Sequence, residues 1–436
     1  MNRVAIIGFG HIGSAIATVL SLKSKIIYGI DNNKEHISKL NNFDCPFEEP
    51  YLKNSLINQI KKKKILCTTD YSYISNSDVI INTVGTPFEN NKVNLSNLFS
   101  SMQQIAKYVK KNSLIIIKST VPPKTTSEIF DKFFKRKKIL LCFSPERIAE
   151  GNMIKEFQKL PIIIGGVNKE STAAAKIFFK KHLKVKFIKT NNSTEAELVK
   201  LFDNLWIDLN ISLGNEVGKI CNILNVNALE VIRAANTLKK GSSYVNILTP
   251  SVGVGGYCLT KDPLFINEFA KKKNLSIHTP KISRKINESM PKFLCSIFKN
   301  KIKELKLKKL NILILGYSFK TNTGDTRSTP VEKFINLIRK EKFVHKLLIS
   351  DPLVESNNIL SNFSKINFKG FDKILKMKGK YDVIFFMNGH DHFKKNLNQI
   401  MKKIKTRGLI VDGRYYFTTK QIIKIKRRYN FLGVGW

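Results

Sequence analysis

Gly8-Phe9-Gly10-His11-Ile12-Gly13 lies between an apolar run, Val4–Ile7, and a helix-compatible stretch, Ser14–Leu22, and it limits the start of this chain more than any other feature. A strand that turns at once into a helix needs glycine at the bend, which Gly8 supplies. Gly10 lets the backbone approach a pyrophosphate, and Gly13 lets helix and strand pack closely. Asp31 follows the next strand, Ile26–Ile30, where its carboxylate can accept hydrogen bonds from an adenosine ribose and would repel a 2′-phosphate. NAD, rather than NADP, is the expected cofactor, with Gly8, Gly10, Ile12, Gly13 and Asp31 holding it.

The β-branched runs continue. Arg3–Ile7, Ile26–Ile30, Ile65–Thr68, Val79–Val84, Leu114–Lys118, Ile139–Phe143 and Pro161–Gly165 alternate with helical or turn segments, the pattern of βαβ units on a parallel sheet. From about Ser193 the period changes. Leu198, Leu201, Leu205, Leu209 and Leu213 recur at helical spacing, which predicts a long helix through Gly218 and beyond. A Gly- and Ser-rich loop from Gly241 to Gly256 interrupts it; helices resume after Pro263 and around Ser289–Lys303, and the lysine-rich stretch Lys299 to Lys309 reads as a boundary. A second alternation then begins, Leu310–Leu315, Lys346–Ser350, Tyr381–Phe386 and Gly408–Val411, with a helix starting near Thr329-Pro330. The expected fold class is α/β: an N-terminal Rossmann-type dinucleotide-binding domain (1–192), a central helical domain (193–304) and a C-terminal Rossmann-like α/β domain (305–436).

At 436 residues the chain exceeds the size at which one core stops growing, in keeping with several domains. No apolar run approaches the roughly 20 residues of a membrane span, and the N-terminus lacks the apolar stretch and cleavage site of a signal peptide. Six scattered cysteines without a C-x-x-C pair argue against a zinc site or a disulfide framework, so a cytoplasmic protein is expected. A formal net charge of +42 would suit nucleic acid or an anionic membrane. The lysines, however, run through the whole chain with abundant Asn and Ile, as A- and T-rich coding produces, and no basic motif is interleaved with aromatics. Neither nucleic-acid binding nor membrane insertion is expected. His390-Asp391-His392 has no third ligand cluster beside it, so loop polarity explains it and no metal is expected.

Chemistry concentrates at Gly253-Val-Gly-Gly-Tyr-Cys258-Leu-Thr-Lys261-Asp262-Pro. Glycines allow close substrate approach, and a nearby cation favours the thiolate that attacks carbonyls. The segment resembles the active-site signature of the UDP-glucose/GDP-mannose dehydrogenase family, G-x-G-G-x-C-x-x-K-D. Further blocks similar to that family stand in order: Val84-Gly85-Thr86-Pro87, Lys118-Ser119-Thr120-Val121-Pro122, Ser144-Pro145-Glu146-Arg147-Ile-Ala-Glu150-Gly151, Ala196-Glu197-Leu-Val-Lys200 with Asn204, Asn215-Glu216, Gly316 to Arg327, and Asp412-Gly413-Arg414. The resemblance covers essentially the whole chain.

What the resemblance implies is a four-electron oxidation of the C6 alcohol of a nucleotide sugar, with Cys258 carrying a thiohemiacetal and then a thioester that water hydrolyses. Lys200 and Asn204, one helical turn apart, would stabilise oxyanions and orient water beside Asp262, with Thr120 helping to place that water. Glu146 would assist acid–base chemistry in hydrolysis. Gly85, Thr86, Thr120, Glu150 and Arg327 complete the implied cofactor set, Glu150 alternatively only supporting its loop. Glu146, Arg147, Lys200, Asn204, Tyr244, Gly255, Lys320 and Arg414 form the implied substrate set, in which the cations complement phosphate and carboxylate charge. A homodimer through the helical domain is implied as well.

Ser144-Pro-Glu-Arg147 and Ala235-Asn236-Thr237 resemble the N-acetylhexosamine branch, pointing to UDP-GlcNAc or UDP-ManNAc and to surface polysaccharide synthesis. Tyr257 in place of a histidine, and the Lys261-Asp262 pair, depart from that branch, and Leu238-Lys239-Lys240-Gly241 stands where members commonly carry an arginine. UDP-glucose 6-dehydrogenase is therefore the alternative. β-Hydroxyacid dehydrogenases need neither Cys258 nor the second α/β domain, and a basic nucleic-acid-binding protein leaves the cysteine loop unexplained.

Overall fold

A computed structural model of the chain describes residues 2–47, 49, 51–90, 92–355 and 367–436. They gather into two compact units, Met1–Asn204 with Lys261–Ser276, and Leu205–Thr260 with Ile277–Trp436. The region read as a central helical domain is shared between the two.

In the first unit, eight described strands form one sheet in the order Phe187–Lys189, Ile162–Gly166, Leu140–Phe143, Leu114–Ile117, Val79–Asn82, Arg3–Ile7, Ile26–Ile30, Ile65–Thr68. Leu114–Ile117 is buried at every position, because helices cover both faces of the sheet and an apolar residue is needed on each side. Val4 and Ile6 join one core while Ala5 and Ile7 join the other, as the two-residue side-chain period requires. The expected all-parallel arrangement fails at one pair. Ile162–Gly166 runs antiparallel to Leu140–Phe143, pairing Cys142 with Gly166. The link between them is taken up by the Ser144–Gly151 loop and one short helix, Met153–Phe157, so it lacks the long helix that usually carries a parallel return across the sheet face. An apolar run does not encode strand direction, so the sequence left this undetermined.

The helix Ser193–Leu224 extends the expected one at its far end. In the second unit six described strands, all parallel, take the order Asn367–Phe368, Val344–Ser350, Leu310–Leu315, Tyr381–Phe386, Ile404–Asp412, Asn430–Gly433. The edge strands at 187–189, 367–368 and 430–433 were not anticipated; they are short, and the first is mostly exposed. The helix Thr279–Glu304 runs through Lys299 and Lys303, so the boundary shrinks to the residues before Leu310.

The two sheets share one turn geometry. Gly8 (φ +83°) donates its amide to Ile30 O at 2.9 Å, and Asp31 Oδ2 accepts the Phe9 amide at 2.8 Å. Gly316 (φ +93°) donates to Ser350 O at 2.8 Å, and Asp351 Oδ2 accepts the amides of Tyr317 and Ser318 at 2.8 and 3.0 Å. Each turn lies where strand order reverses, at the carboxyl ends of the strands, which is where open α/β sheets form their crevice.

His390 corrects the loop-polarity reading. It is fully buried, its Nδ1 accepts the Asn322 amide at 3.0 Å, and Nε2 is 3.1 Å from Asp351 Oδ2. With Nδ1 accepting, the proton sits on Nε2 and points at the carboxylate. Burial pushes the Asp351 carboxyl up, but His390 and the amides of Leu353 and Ser318 outweigh it and hold it below the ordinary range. Among the described residues no group of three or more His, Cys, Asp or Glu is placed to hold a metal, and no described helix is long and apolar enough to cross a membrane.

Candidate active site

The glycines of the first turn divide by what surrounds them. A Cβ on Gly8 would stand 2.8 Å from the Val84 amide, and one on Gly13 would stand 2.4 Å from Gly8 O. Both positions are closed by the fold itself. Around Gly10 and Gly85 no atom lies within 4 Å of the Cβ position, so these glycines face open space. Gly10, which has no side chain to cap the helix, also precedes His11–Leu20, and a helix N-terminus of this kind suits a pyrophosphate. Asp31 Oδ1 accepts the Asn33 amide at 3.0 Å, which fixes the carboxylate at the strand end. Ile12 is half-buried in the same helix and packs against the core. The residues present therefore fit a bound NAD.

Further along the sheet, the carboxyl ends of adjacent strands carry the remaining cofactor-side residues. Thr86 Oγ1 donates to Thr120 O at 2.7 Å, linking two expected members. After Leu140–Phe143 the chain reaches Glu146, whose Oε1 accepts the amides of Arg147 and Ile148 at 2.9 and 3.1 Å. Its Oε2 is 3.1 Å from Lys118 Nζ, a fully buried ammonium. Arg147 Nη2 donates to Pro161 O at 2.6 Å, and Nη1 lies 3.7 Å from Asp203 Oδ2. Half-buried Glu150 begins a turn that Glu49 braces by accepting the amides of Gly151 and Met153 at 2.8 and 3.1 Å.

Lys200, Asn204 and Asp262 come together as expected. Lys200 Nζ is 3.4 Å from Asn204 Oδ1, Asn204 Nδ2 donates to Asp262 Oδ2 at 2.6 Å, and Asp262 Oδ1 pairs with Lys261 Nζ at 2.6 Å. All four side chains are buried. One turn before Lys200, Glu197 accepts the Lys124 amide at 2.6 Å and the Thr126 amide and hydroxyl at 2.7 and 2.5 Å. Burial pushes its carboxyl up to about 7 despite those donors. Glu197 thus ties the helix of Lys200 to the segment that follows Thr120.

Cys258 belongs to the second unit, and among the six cysteines it is the exposed one. Its turn is packed at the glycines: a Cβ on Gly255 would stand 2.6 Å from the Phe319 Cβ, and one on Gly256 (φ +87°) 2.6 Å from the Phe319 ring. Gly256 donates its amide to Arg327 O at 3.0 Å, and the Arg327 guanidinium lies 5.4 Å from the Tyr257 ring centre. Asp325 holds that guanidinium through Nε at 2.9 Å. Arg414 donates to Phe319 O at 3.0 Å, next to half-buried Lys320, and burial brings the guanidinium down to about 10. Gly255, Gly256 and Arg414 therefore meet at Phe319, with Lys320 next to it in sequence, Arg327 bonded to Gly256, and Cys258 two residues after Gly256. Tyr244 does not join them; it is 64% exposed on the small hairpin Lys239–Lys240/Ser243–Tyr244.

Two features went unread in the sequence. One is the burial of Lys118, which within its block still reads like a surface lysine in a chain with 75 Lys and Arg residues. The other is a buried network in the second unit. Asp208 Oδ1 pairs with Arg284 at 2.8 Å and accepts Asn287 Nδ2 at 2.8 Å; Asn287 Oδ1 accepts Asn215 Nδ2 at 2.8 Å; Asn215 Oδ1 accepts the Ser251 amide at 2.8 Å. That chain of bonds anchors the loop leading into Cys258.

The chain matches the UDP-glucose/GDP-mannose dehydrogenase family in three consecutive parts: its NAD binding domain over residues 2–183, its central domain over 194–289 and its UDP binding domain over 313–419. The chain belongs to this family. It is an NAD-dependent nucleotide-sugar dehydrogenase, an oxidoreductase of the α/β class with the family's three-part architecture. A UDP-N-acetyl-D-mannosamine dehydrogenase from Methanococcus vannielii is 31% identical over 421 residues, 94% of this chain and 92% of that protein. The solved UDP-D-ManNAc dehydrogenase of Pyrococcus horikoshii is 29% identical and superposes with a TM-score of 0.85 over 99% of each chain. A UDP-glucose dehydrogenase from Pyrobaculum islandicum also reaches 0.85, at 22% identity over 100% of this chain and 98% of that one. Overall fold similarity within this family thus does not separate substrates.

Proposed function

We propose that this family member oxidises the C6 hydroxymethyl of UDP-N-acetyl-D-mannosamine to the uronate, two NAD being used per sugar. Similarity along nearly the whole chain to proteins named UDP-N-acetyl-D-mannosamine dehydrogenase carries this choice. NAD, when bound at Gly8, Gly10, Ile12, Gly13, Asp31, Gly85, Thr86 and Glu150, supplies a hydride acceptor for each oxidation.

The chain's own residues do the rest. Cys258 adds its Sγ to the aldehyde carbon, giving a thiohemiacetal and, after the second oxidation, a thioester; the covalent bond keeps the aldehyde from escaping. Lys200 and Asn204 offer donors to the oxyanion, preset by burial and by the Asp262 contact so that little reorganisation is needed during reaction. Asp262 and Thr120 orient the hydrolytic water, and Glu146 accepts its proton. Arg327 assists the cofactor side, while Arg147, Gly255, Lys320 and Arg414 hold the UDP-sugar.

Domain limits of 1–192, 193–304 and 305–436, a cytoplasmic location and a product entering surface polysaccharide belong to the same reading. So does a homodimer. Trp206, Leu209, Leu213, Ile220 and Ile223, on the helix Ser193–Leu224, are 39–77% exposed, an apolar stripe that self-association would cover.

A UDP-glucose substrate is the second reading, favoured by Tyr257 and by the Lys261–Asp262 pair. The deciding experiment counts NADH formed by purified protein with UDP-ManNAc, UDP-GlcNAc and UDP-glucose separately. Two NADH per UDP-ManNAc support the proposal. Turnover of UDP-glucose alone replaces the substrate, and no turnover of any sugar ends the reading.

A further inference from the structure

Lys118 follows the strand Leu114–Ile117, and Glu146 lies just beyond the neighbouring strand Leu140–Phe143, with Ile117 opposite Phe143 in parallel register. The lysine side chain has no exposure. Its Nζ lies 5.6 and 5.5 Å from the ring centres of Phe157 and Phe179 and 3.1 Å from Glu146 Oε2. An ammonium buried in such surroundings costs several kcal/mol unless an anion accompanies it. Glu146 is its ion-pair partner among the described residues. The carboxylate is thereby held from both sides, Oε1 by the amides of Arg147 and Ile148 and Oε2 by the cation.

We propose that Lys118 is a positioning residue for thioester hydrolysis: from the buried side its ammonium holds one oxygen of the Glu146 carboxylate and aims the group. In that step the water oxygen bonds to the acyl carbon, the C–S bond breaks with its electron pair passing to Cys258 Sγ, and Glu146 takes the water proton. No oxidant is consumed. The inference rests on the hydrolytic role proposed for Glu146, and a purely structural role for the ion pair would not alter which intermediate accumulates.

The test uses the full chain with NAD and the UDP-sugar it turns over, comparing Glu146→Gln, Lys118→Met, Lys118→Arg and the double variant Lys118→Met/Glu146→Gln. Intact-protein mass after quenching reads the acyl adduct on Cys258, alongside kcat, KM and melting temperature. Glu146→Gln is expected to lower kcat about a hundredfold, within the range of general acid–base catalysis, with adduct accumulating. Lys118→Met is expected to lower kcat at least about tenfold with the same adduct and little change in KM, whereas Lys118→Arg, which keeps the charge, accumulates none. The double variant should be no slower than Glu146→Gln; if Lys118→Met fails to fold, that comparison decides. Adduct in Glu146→Gln but not in Lys118→Met, or a double variant a further tenfold slower, overturns the role of Lys118 alone. Absence of adduct in Glu146→Gln overturns the Glu146 reading and this inference with it.

Discussion

Asn204 donates its Nδ2 to Oδ2 of Asp262 at 2.6 Å, so a residue of the long helix is fixed by one that lies far along the chain, past Cys258. The same carboxylate holds Lys261 through its other oxygen. Both Asn204 and Asp262 are buried, and neither contact is exchanged freely for water.

Asp262→Ala should therefore cost stability as well as activity. It removes the counter-charge 2.6 Å from the buried Lys261 ammonium, and breaking such a pair costs about 3–5 kcal/mol. Urea denaturation is expected to show that loss, and the pair variant Asp262→Ala/Lys261→Met should recover a large part of it. A single variant as stable as the wild type would mean that the pair contributes nothing.

Gly8 and Gly10 should separate fold from cofactor. Gly8→Ala places a Cβ 2.8 Å from the Val84 amide at a φ of +83°, so its melting temperature should fall by several degrees. A Cβ at Gly10 meets no neighbouring atom, so Gly10→Val should melt like the wild type, yet bind NAD at least about tenfold more weakly in calorimetry because the side chain stands where backbone must approach the ligand. Equal NAD affinity in Gly10→Val would place the pyrophosphate elsewhere.

Cys258→Ser should lose acid formation by about a thousandfold or more, as removal of a nucleophile does. Because the other five cysteines are buried, brief treatment of the native protein with iodoacetamide should alkylate Cys258 first and inactivate in proportion to labelling. Peptide mapping after partial inactivation checks the order.

Glu197 predicts a pH dependence of stability. Its carboxyl is raised to about 7, first by burial, so the folded state holds the proton more tightly than the unfolded chain. The resulting stabilisation is complete below the ordinary carboxylate range and is lost as pH rises through 7, roughly 3 kcal/mol in all. Urea midpoints measured from pH 5 to pH 8.5 should fall more steeply for the wild type than for Glu197→Gln. Parallel slopes would show that another group titrates.

The sequence by itself determined where the central strands of both sheets lie, though not the short edge strands at 187–189, 367–368 and 430–433, because residues buried on two faces must be apolar in unbroken runs, as in Leu114–Ile117. It determined the turn at Gly8, since positive φ leaves glycine as the unstrained choice, and the grouping of Lys200 with Asn204, since residues four apart share a helix face. Tertiary structure alone decided the antiparallel return of Ile162–Gly166, the burial of His390 against Asp351, and the pairing of Lys118 with Glu146. Strand direction depends on how the linking segment packs, and His390 was given up to loop polarity because its partner lies 39 residues away. A buried lysine reads like any exposed one until the fold surrounds it. The physical reason is common to all three: local pattern records what a residue needs from its nearest neighbours, while burial and charge pairing depend on residues that only the completed packing brings together.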